Sequence, residues 1–199
     1  MHWTTHYGLK GKTGDPPEDL ELSLFVDADF AGDKEDSKST SGVFLVLTGP
    51  NTYFPLTWAS AKQTATSRST TESEVVSLAL GMFSEAIPAS ILWSLILGRD
   101  IKTRIYEDNQ AAITVVKKGY SKKLRHISRT HKVNLGSLKE VCVLDTNSEL
   151  VYIETKKQAA DIFTKALSPS LWDAALEMLG IQKKERPLPP EGEAPVSKL

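Results

Sequence analysis

The stretch "SLFVDADFAGD", Ser23 to Asp33, runs strand-forming residues straight into carboxylates at Asp27 and Asp29. What those acids hold, and which residues join them, decides how the chain is read. Apolar and β-branched residues predict a strand over "LSLFVDADF" that ends at the aspartates. Two more strand-like runs follow, "STSGVFLVLTG" and "TYFPLTWASAK", and the turn residues "TGPN" between them predict an antiparallel hairpin.

After the third strand the spacing turns helical. "STTESEVVSLALGMFSEA" reads as a helix with N-cap hydroxyls at Ser69 to Thr71, which Pro88 is expected to kink or restart. "ASILWSLILG" continues it to Gly98, a C′ residue. Next come a short strand, "KTRIYED", a helix "NQAAITVVKKG" stopped at Gly119, and a helical "RTHKVNLGSLKE". "ELVYIET" reads as a strand, "KQAADIFTKAL" as a helix, and "SLWDAALEMLG" as a closing amphipathic helix. The order βββ-α-β-α-α-β-α predicts an α/β domain in which helices pack on a mixed sheet.

The chain has 199 residues, enough for one well-buried domain. Residues 1–20 are polar and breaker-rich ("GKTGDPPED"), which predicts a linker. The folded unit is expected over 21–180. Residues 181–199, with "RPLPPEGEAP", are expected to be a disordered tail. A net charge of -1 gives no global sign of a polyanionic partner, so local charge must be read instead. Cys142 is the only cysteine, which excludes an intrachain disulfide and a cysteine-built zinc site. The N-terminus lacks a signal-peptide core, and no stretch approaches roughly 18 uninterrupted apolar residues. The expectation is a soluble intracellular protein, in a cytoplasmic particle or the nucleus, neither secreted nor membrane-bound.

The acids fall at element junctions. Asp27 ends the first strand, and Glu72 and Glu74 lie in the first turn of the long helix. Asp108 ends the fourth strand, and Asp161 begins the helix after the last one. Acids so placed can converge on one edge of a sheet, where ligand sites of α/β proteins gather. Clustered carboxylates repel unless a cation neutralises them, and hard oxygen ligands favour Mg²⁺ or Mn²⁺ over zinc. Two such ions about 3.5–4 Å apart serve phosphoryl transfer. Acids at helix N-termini also complement the helix dipole, so spacing alone leaves both readings open.

Five blocks, "VDADFAGD", "STTESEV", "EDNQAAI", "RHISRTHK" and "QAADIFTKAL", occur in an order that resembles the ribonuclease H domain of copia-type LTR retrotransposon polyproteins. The resemblance covers nearly all of 21–168. "HWTTHYGLK" at the start is similar to the end of the segment that joins reverse transcriptase to that domain, so a polyprotein fragment or truncated copy is expected. The resemblance implies a ribonuclease H-like fold with a five-stranded mixed sheet, its first three strands antiparallel. It implies endonucleolytic hydrolysis of the RNA strand in RNA–DNA hybrids, with the reverse transcriptase region as a partner. Its metal ligands and catalytic acids fall on Asp27, Glu74, Asp108 and Asp161, holding two Mg²⁺ ions (or Mn²⁺) with Asp27 bridging. "EVVSLAL" is similar to the run after the family's glutamate, which selects Glu74 over Glu72. The two lie two residues apart, on nearly opposite sides of a helix.

Two departures from cellular enzymes stand out. Ala28 and Asp29 replace the usual glycine and serine, and Asp29 is expected to be a surface turn residue. Only "TKKQAA" separates Glu154 from Asp161, so no histidine is assigned to product release and slower turnover is expected. A decayed or repurposed copy that binds hybrids without cutting, or a structural extension of reverse transcriptase, is the rival reading.

From Asn109 to Lys139 there is no acid but there are eight Lys or Arg: Lys117, Lys118, Lys122, Lys123, Arg125, Arg129, Lys132 and Lys139. A solvated helical face normally mixes in acids, so the run predicts phosphate contact. The acid-free 37–71 adds Lys62 and Arg68, with hydroxyls such as Ser69; Asn109 and Gln110 complete the expected nucleic-acid-binding set. His126 and His131 are five apart, not at helical zinc spacing, and a structural or phosphate-contact role is expected. Trp58, Trp93 and Trp172 read as core.

Overall fold

Strand Glu21–Asp29 is the hub of the molecule, because it pairs on both sides. In the computed structural model, which describes residues 6–33 and 35–184, the strands are β1 (Tyr7–Leu9), β2 (Glu21–Asp29), β3 (Thr40–Thr48), β4 (Tyr53–Lys62), β5 (Thr103–Glu107), β6 (Ser148–Tyr152) and β7 (Ile181–Lys183). The helices are α1 (Thr70–Leu80), α2 (Ile87–Leu97), α3 (Gln110–Lys118), α4 (Ile127–Thr130), α5 (Leu135–Lys139) and α6 (Pro169–Met178). Five strands form one sheet in the order β4-β3-β2-β5-β6. The first three are antiparallel, and β5 and β6 add in parallel. This is the five-stranded mixed sheet, its first three strands antiparallel, that is expected from the sequence.

The hairpin forms where the turn residues put it, with Gly49 N–H donating to Thr52 O at 3.0 Å. Alternation along the strands separates two cores. Leu22, Leu24, Val26, Val43, Leu45 and Ile105 meet α1 through Val75 and Leu78. On the opposite face Phe44 and Val46 meet Ala159 and Leu179. A central strand buried on both faces has no polar side to show, which is why β2 reads as a nearly continuous apolar run.

Several expectations need correction. The structured unit is wider than 21–180, because β1 pairs antiparallel with β7 in a separate ribbon and Lys12 bridges Tyr53. The rest of the expected linker, residues 1–5, and of the expected tail, 185–199, lie outside the described residues. Pro88, expected to kink or restart the helix, stands in the first turn of α2 and so restarts it. A π-helical turn over Gly81–Ala86 joins α1 to α2, with Ile87 N–H donating to Met82 O, and its wider spacing accommodates a residue that lacks its own N–H.

"KQAADIFTKAL" is not a helix either. It forms two short 3-10 turns, Thr155–Lys157 and Asp161–Phe163, around a fully buried Gln158. The Gln158 amide donates to Val26 O at 2.9 Å, which ties this segment to the end of β2. "RTHKVNLGSLKE" divides into α4 and α5, and a π-helical turn follows over Glu140–Leu144. Trp58 on the edge strand β4 is 54% exposed and Trp172 on α6 is 44% exposed, so only Trp93 packs against the core.

Thr70–Leu97 is one helix of 28 residues, long and apolar enough to cross a membrane by length and composition alone. Its first half is the core helix of the sheet, and its second half exposes Ile91, Leu92, Leu95 and Ile96.

Candidate metal centre and nucleic-acid interface

β2 and β5 run parallel, so both end on the same edge of the sheet, and each ends on an acid. Asp27 lies near the end of β2, and its side chain is 1% exposed. Asp108 follows β5 directly, before Asn109 caps α3 by accepting from the N–H groups of Ala111 and Ala112. Glu74 comes from the first turns of α1, which is anchored over β2 by Ser77 Oγ donating to Asp27 O at 2.6 Å. Oxygens of Asp27, Glu74 and Asp108 lie within 4.8 Å of one another.

The electrostatics mark this trio as short of positive charge. Burial raises the pKa of Glu74 first, and Glu107, Asp27 and Asp108 raise it further. Glu74 Oε2 is buried with no hydrogen-bond partner. Glu107, also fully buried, has its pKa pushed up to about 8 by burial, while the Asn109 N–H it accepts at 2.9 Å pulls it down. Its Oε2 is likewise unpartnered. Hard oxygen donors around an unmet negative charge suit Mg²⁺ or Mn²⁺. The residues therefore suit the divalent cation expected from the sequence resemblance.

Asp161 is not within that trio. It joins it through Lys165, whose ammonium donates to Asp27 Oδ1 at 2.9 Å and to Asp161 Oδ1 at 3.0 Å. Burial lifts the Asp161 carboxyl to about 6, with Asp27 adding to the rise and Lys165 opposing it. Burial works against the Lys165 charge, but Asp27 and Asp161 outweigh it and raise its pKa. Thr164 donates to the other Asp27 oxygen, and Thr155 donates to Asp108 Oδ2 at 2.7 Å.

Sequence reasoning missed Lys165, Thr164, Thr155 and Glu107. The "FTKAL" and "EDNQ" blocks held three of them in plain view, but only a fold that returns residues 155–165 to β2 gives them partners. Asp29 ends β2 opposite Thr40 and takes no part in the trio.

Glu72 turns away from Glu74's neighbours. Its Oε1 lies 3.0 Å from His126 Nε2 and 3.3 Å from His131 Nε2, and its Oε2 accepts the Arg68 N–H at 3.0 Å. Ser69 Oγ accepts the Glu72 N–H, so the same residue closes the N-terminus of α1. Both histidines of the "RHISRTHK" block are thus engaged with the buried Glu72.

The residues expected at nucleic acid divide by environment. Lys117, Lys118, Lys122, Lys123, Arg125, Arg129 and Lys132 are exposed, and among the described residues none is in an ion pair. Lys117 and Lys118 stand in the last turn of α3, at its far end from Asp108, and the others follow between α3 and α5. Arg68 and Gln110 are exposed as well. Lys62 is bound to Asp33 at 2.6 Å and Asp36 at 3.0 Å, and the Ser69 and Asn109 oxygens serve as helix caps. A groove of about 780 Å³ beside Ile87, Ile91 and Leu95 lies along α2 and is lined by none of the four candidate acids.

With this geometry in place, the chain can be set beside known proteins. It is 29% identical over 186 residues to the retrovirus-related Pol polyprotein from transposon RE1 of Arabidopsis thaliana, and equally so to that from transposon RE2. Each match covers 90% of this chain. The chain is thus similar to a segment of these transposon Pol polyproteins. The Pol polyprotein from transposon TNT 1-94 of Nicotiana tabacum is 26% identical over 191 residues, 91% of the chain. The chain spans only 12% of the length of the RE1 and RE2 relatives. No family model matches. Among solved structures, LC11-RNase H1 isolated from compost aligns with a TM-score of 0.48 and 16% identity, over 78% of this chain and 98% of that one. RNase H1 from Halobacterium salinarum NRC-1 aligns with a TM-score of 0.44 and 12% identity, over 79% of this chain and 98% of its own length.

Proposed function

We propose that this chain is a metal-dependent endonuclease that hydrolyses the RNA strand of RNA–DNA hybrids, working beside a reverse transcriptase region. One observation carries the reading: three acids far apart in sequence, Asp27, Glu74 and Asp108, meet within 4.8 Å at one edge of the sheet. A structural role gives no reason to bury Glu74 against three other carboxylates with one oxygen unpartnered. A divalent ion, when bound, neutralises these acids, polarises the scissile phosphate and activates the attacking water.

The chain's own residues do the rest. Thr155 and Thr164 fix the carboxylates of Asp108 and Asp27 by hydrogen bonds. The exposed lysines and arginines that follow α3 supply cations for the phosphate backbone, a contact independent of base sequence. Discrimination of RNA from DNA rests on the 2′-hydroxyl, which only RNA offers.

The test is direct. Purified chain is incubated with an end-labelled hybrid in Mg²⁺ or Mn²⁺, beside Asp108→Asn and matched RNA–RNA and DNA–DNA duplexes. Cleavage of the hybrid's RNA strand alone, lost in Asp108→Asn with the fold intact by circular dichroism, is the expected result. An uncut hybrid overturns the proposal.

A further inference from the structure

We propose that the Lys165 ammonium occupies the place of a second cation, so that this chain holds one divalent ion, on Asp27, Glu74 and Asp108, rather than two. The inference rests on the reading of those acids as a cation site, and it departs from the two-ion expectation.

The surroundings of Asp27 are asymmetric. On the Glu74 side a carboxylate oxygen is buried, unpartnered and surrounded by acids, so positive charge is missing there. On the Asp161 side it is already supplied. Lys165 Nζ bridges Asp27 Oδ1 and Asp161 Oδ1 at 2.9 and 3.0 Å. A second ion bridging the same two carboxylates would need oxygens at about 2.0–2.1 Å for Mg²⁺. It would then stand within bonding distance of the ammonium, and two cations cannot share that space.

Lys165 is also built into this position. Its N–H donates to Asp161 O at 2.9 Å, which fixes the lysine one turn beyond the acid it neutralises. The preceding Thr164 hydroxyl donates to the second oxygen of Asp27, so neighbouring residues engage both oxygens of the bridging carboxylate. The Lys165 side chain remains 36% exposed, so its ammonium can face an incoming phosphate while it holds the two acids. Lys165 thereby provides part of the charge that the second ion provides in a two-ion site.

The experiment counts ions. Mn²⁺ is titrated calorimetrically into the full chain and into Lys165→Met, whose side chain has similar length and no charge, and electron paramagnetic resonance then tests for coupled Mn²⁺ pairs. The expected result is one Mn²⁺ per parent chain with an isolated-ion spectrum, and two per Lys165→Met chain with a coupled-pair signal. Two ions on the parent chain, or one on both chains, overturns the proposal and leaves the nuclease reading standing. No ion on the parent overturns both. If Lys165→Met does not fold, Lys165→Gln takes its place, and the parent count alone still decides against the proposal if it is two.

Discussion

Glu72 and Glu74 lie two residues apart on α1, both are buried, and they answer to opposite neighbours. Glu72 meets two histidines and a backbone N–H, whereas Glu74 meets three other carboxylates. One is a satisfied acid and the other keeps an oxygen without a partner. Substitution of each by glutamine should therefore move metal-free stability in opposite directions. Glu72→Gln removes the charge facing His126 and His131 and should cost about 1–3 kcal/mol. Glu74→Gln relieves repulsion and should gain a similar amount, as is common where function holds a site away from its stability optimum. For a domain of this size each shift is roughly 3–10 °C in Tm. Thermal melts in chelator check the signs, and Mn²⁺ titration should show binding kept in Glu72→Gln and lost in Glu74→Gln.

Glu107 gives a pH signature. Its pKa is raised in the folded chain to about 8, so below about 4.5 it is protonated in both the folded and unfolded states. Between these values the unfolded chain has released a proton that the folded chain keeps, so rising pH favours unfolding. Above about 8 both states are ionised and the penalty is constant. Glu107→Gln should match the parent chain at pH 4.5 and exceed it increasingly up to pH 8, by several degrees in Tm. The comparison is made as a difference because His131, whose pKa is lowered mainly by burial, contributes the opposite slope in the parent and variant alike. Chemical denaturation of both chains at pH 4.5, 6 and 8 in chelator measures it; a difference that does not change with pH would contradict it.

The reach of the sequence is clearest at particular residues. β2 and the hairpin were legible because β-branched runs and "TGPN" are local signals, and α1 declared itself by its cap and spacing. Asp27, Glu74 and Asp108 could be chosen because the blocks around them resemble those of a known family; their fall at element ends alone left the helix-dipole reading open. Segment 155–165 was not legible. "QAADIFTKAL" has good helix formers, but Gln158 is used to satisfy Val26 O and Gly42 leaves room for the turn, so tertiary contacts override propensity. Exposure of Trp58 was hidden for a related reason, since burial on an edge strand depends on what covers it.

The basic run should appear as a salt slope. Replacement of Lys117, Lys118, Lys122 and Lys123 by alanine removes four exposed cations that form no ion pairs among the described residues, so Tm should change little. Each lost phosphate contact should lower the magnitude of the slope of log affinity against log salt by about 0.7–0.9. Fluorescence anisotropy with a labelled hybrid in chelator, from 50 to 200 mM salt, gives the slope. An unchanged slope would show that the hybrid lies on another face.

Gly42 is the register partner of Asp27, and the missing side chain is what brings the last acid near. A Cβ there would stand 2.6 Å from Thr164 Cγ2, 2.8 Å from Ala160 O and 3.2 Å from Phe163 Cβ. Two of these belong to the Asp161–Thr164 turn itself and one is its backbone support, so the segment must retreat from β3. Retreat carries Thr164, Lys165 and Asp161 away from Asp27 together. Overpacking of this kind costs about 1–3 kcal/mol, and the larger core on the α1 face is untouched. Gly42→Ala should therefore keep the fold, lose a few degrees in Tm, and lose at least about tenfold in hybrid cleavage, since small displacements of positioning groups cost rates of this order. Paired melts and single-turnover cleavage test this; full activity in Gly42→Ala would mean that Asp161 and Lys165 need not stand close to Asp27.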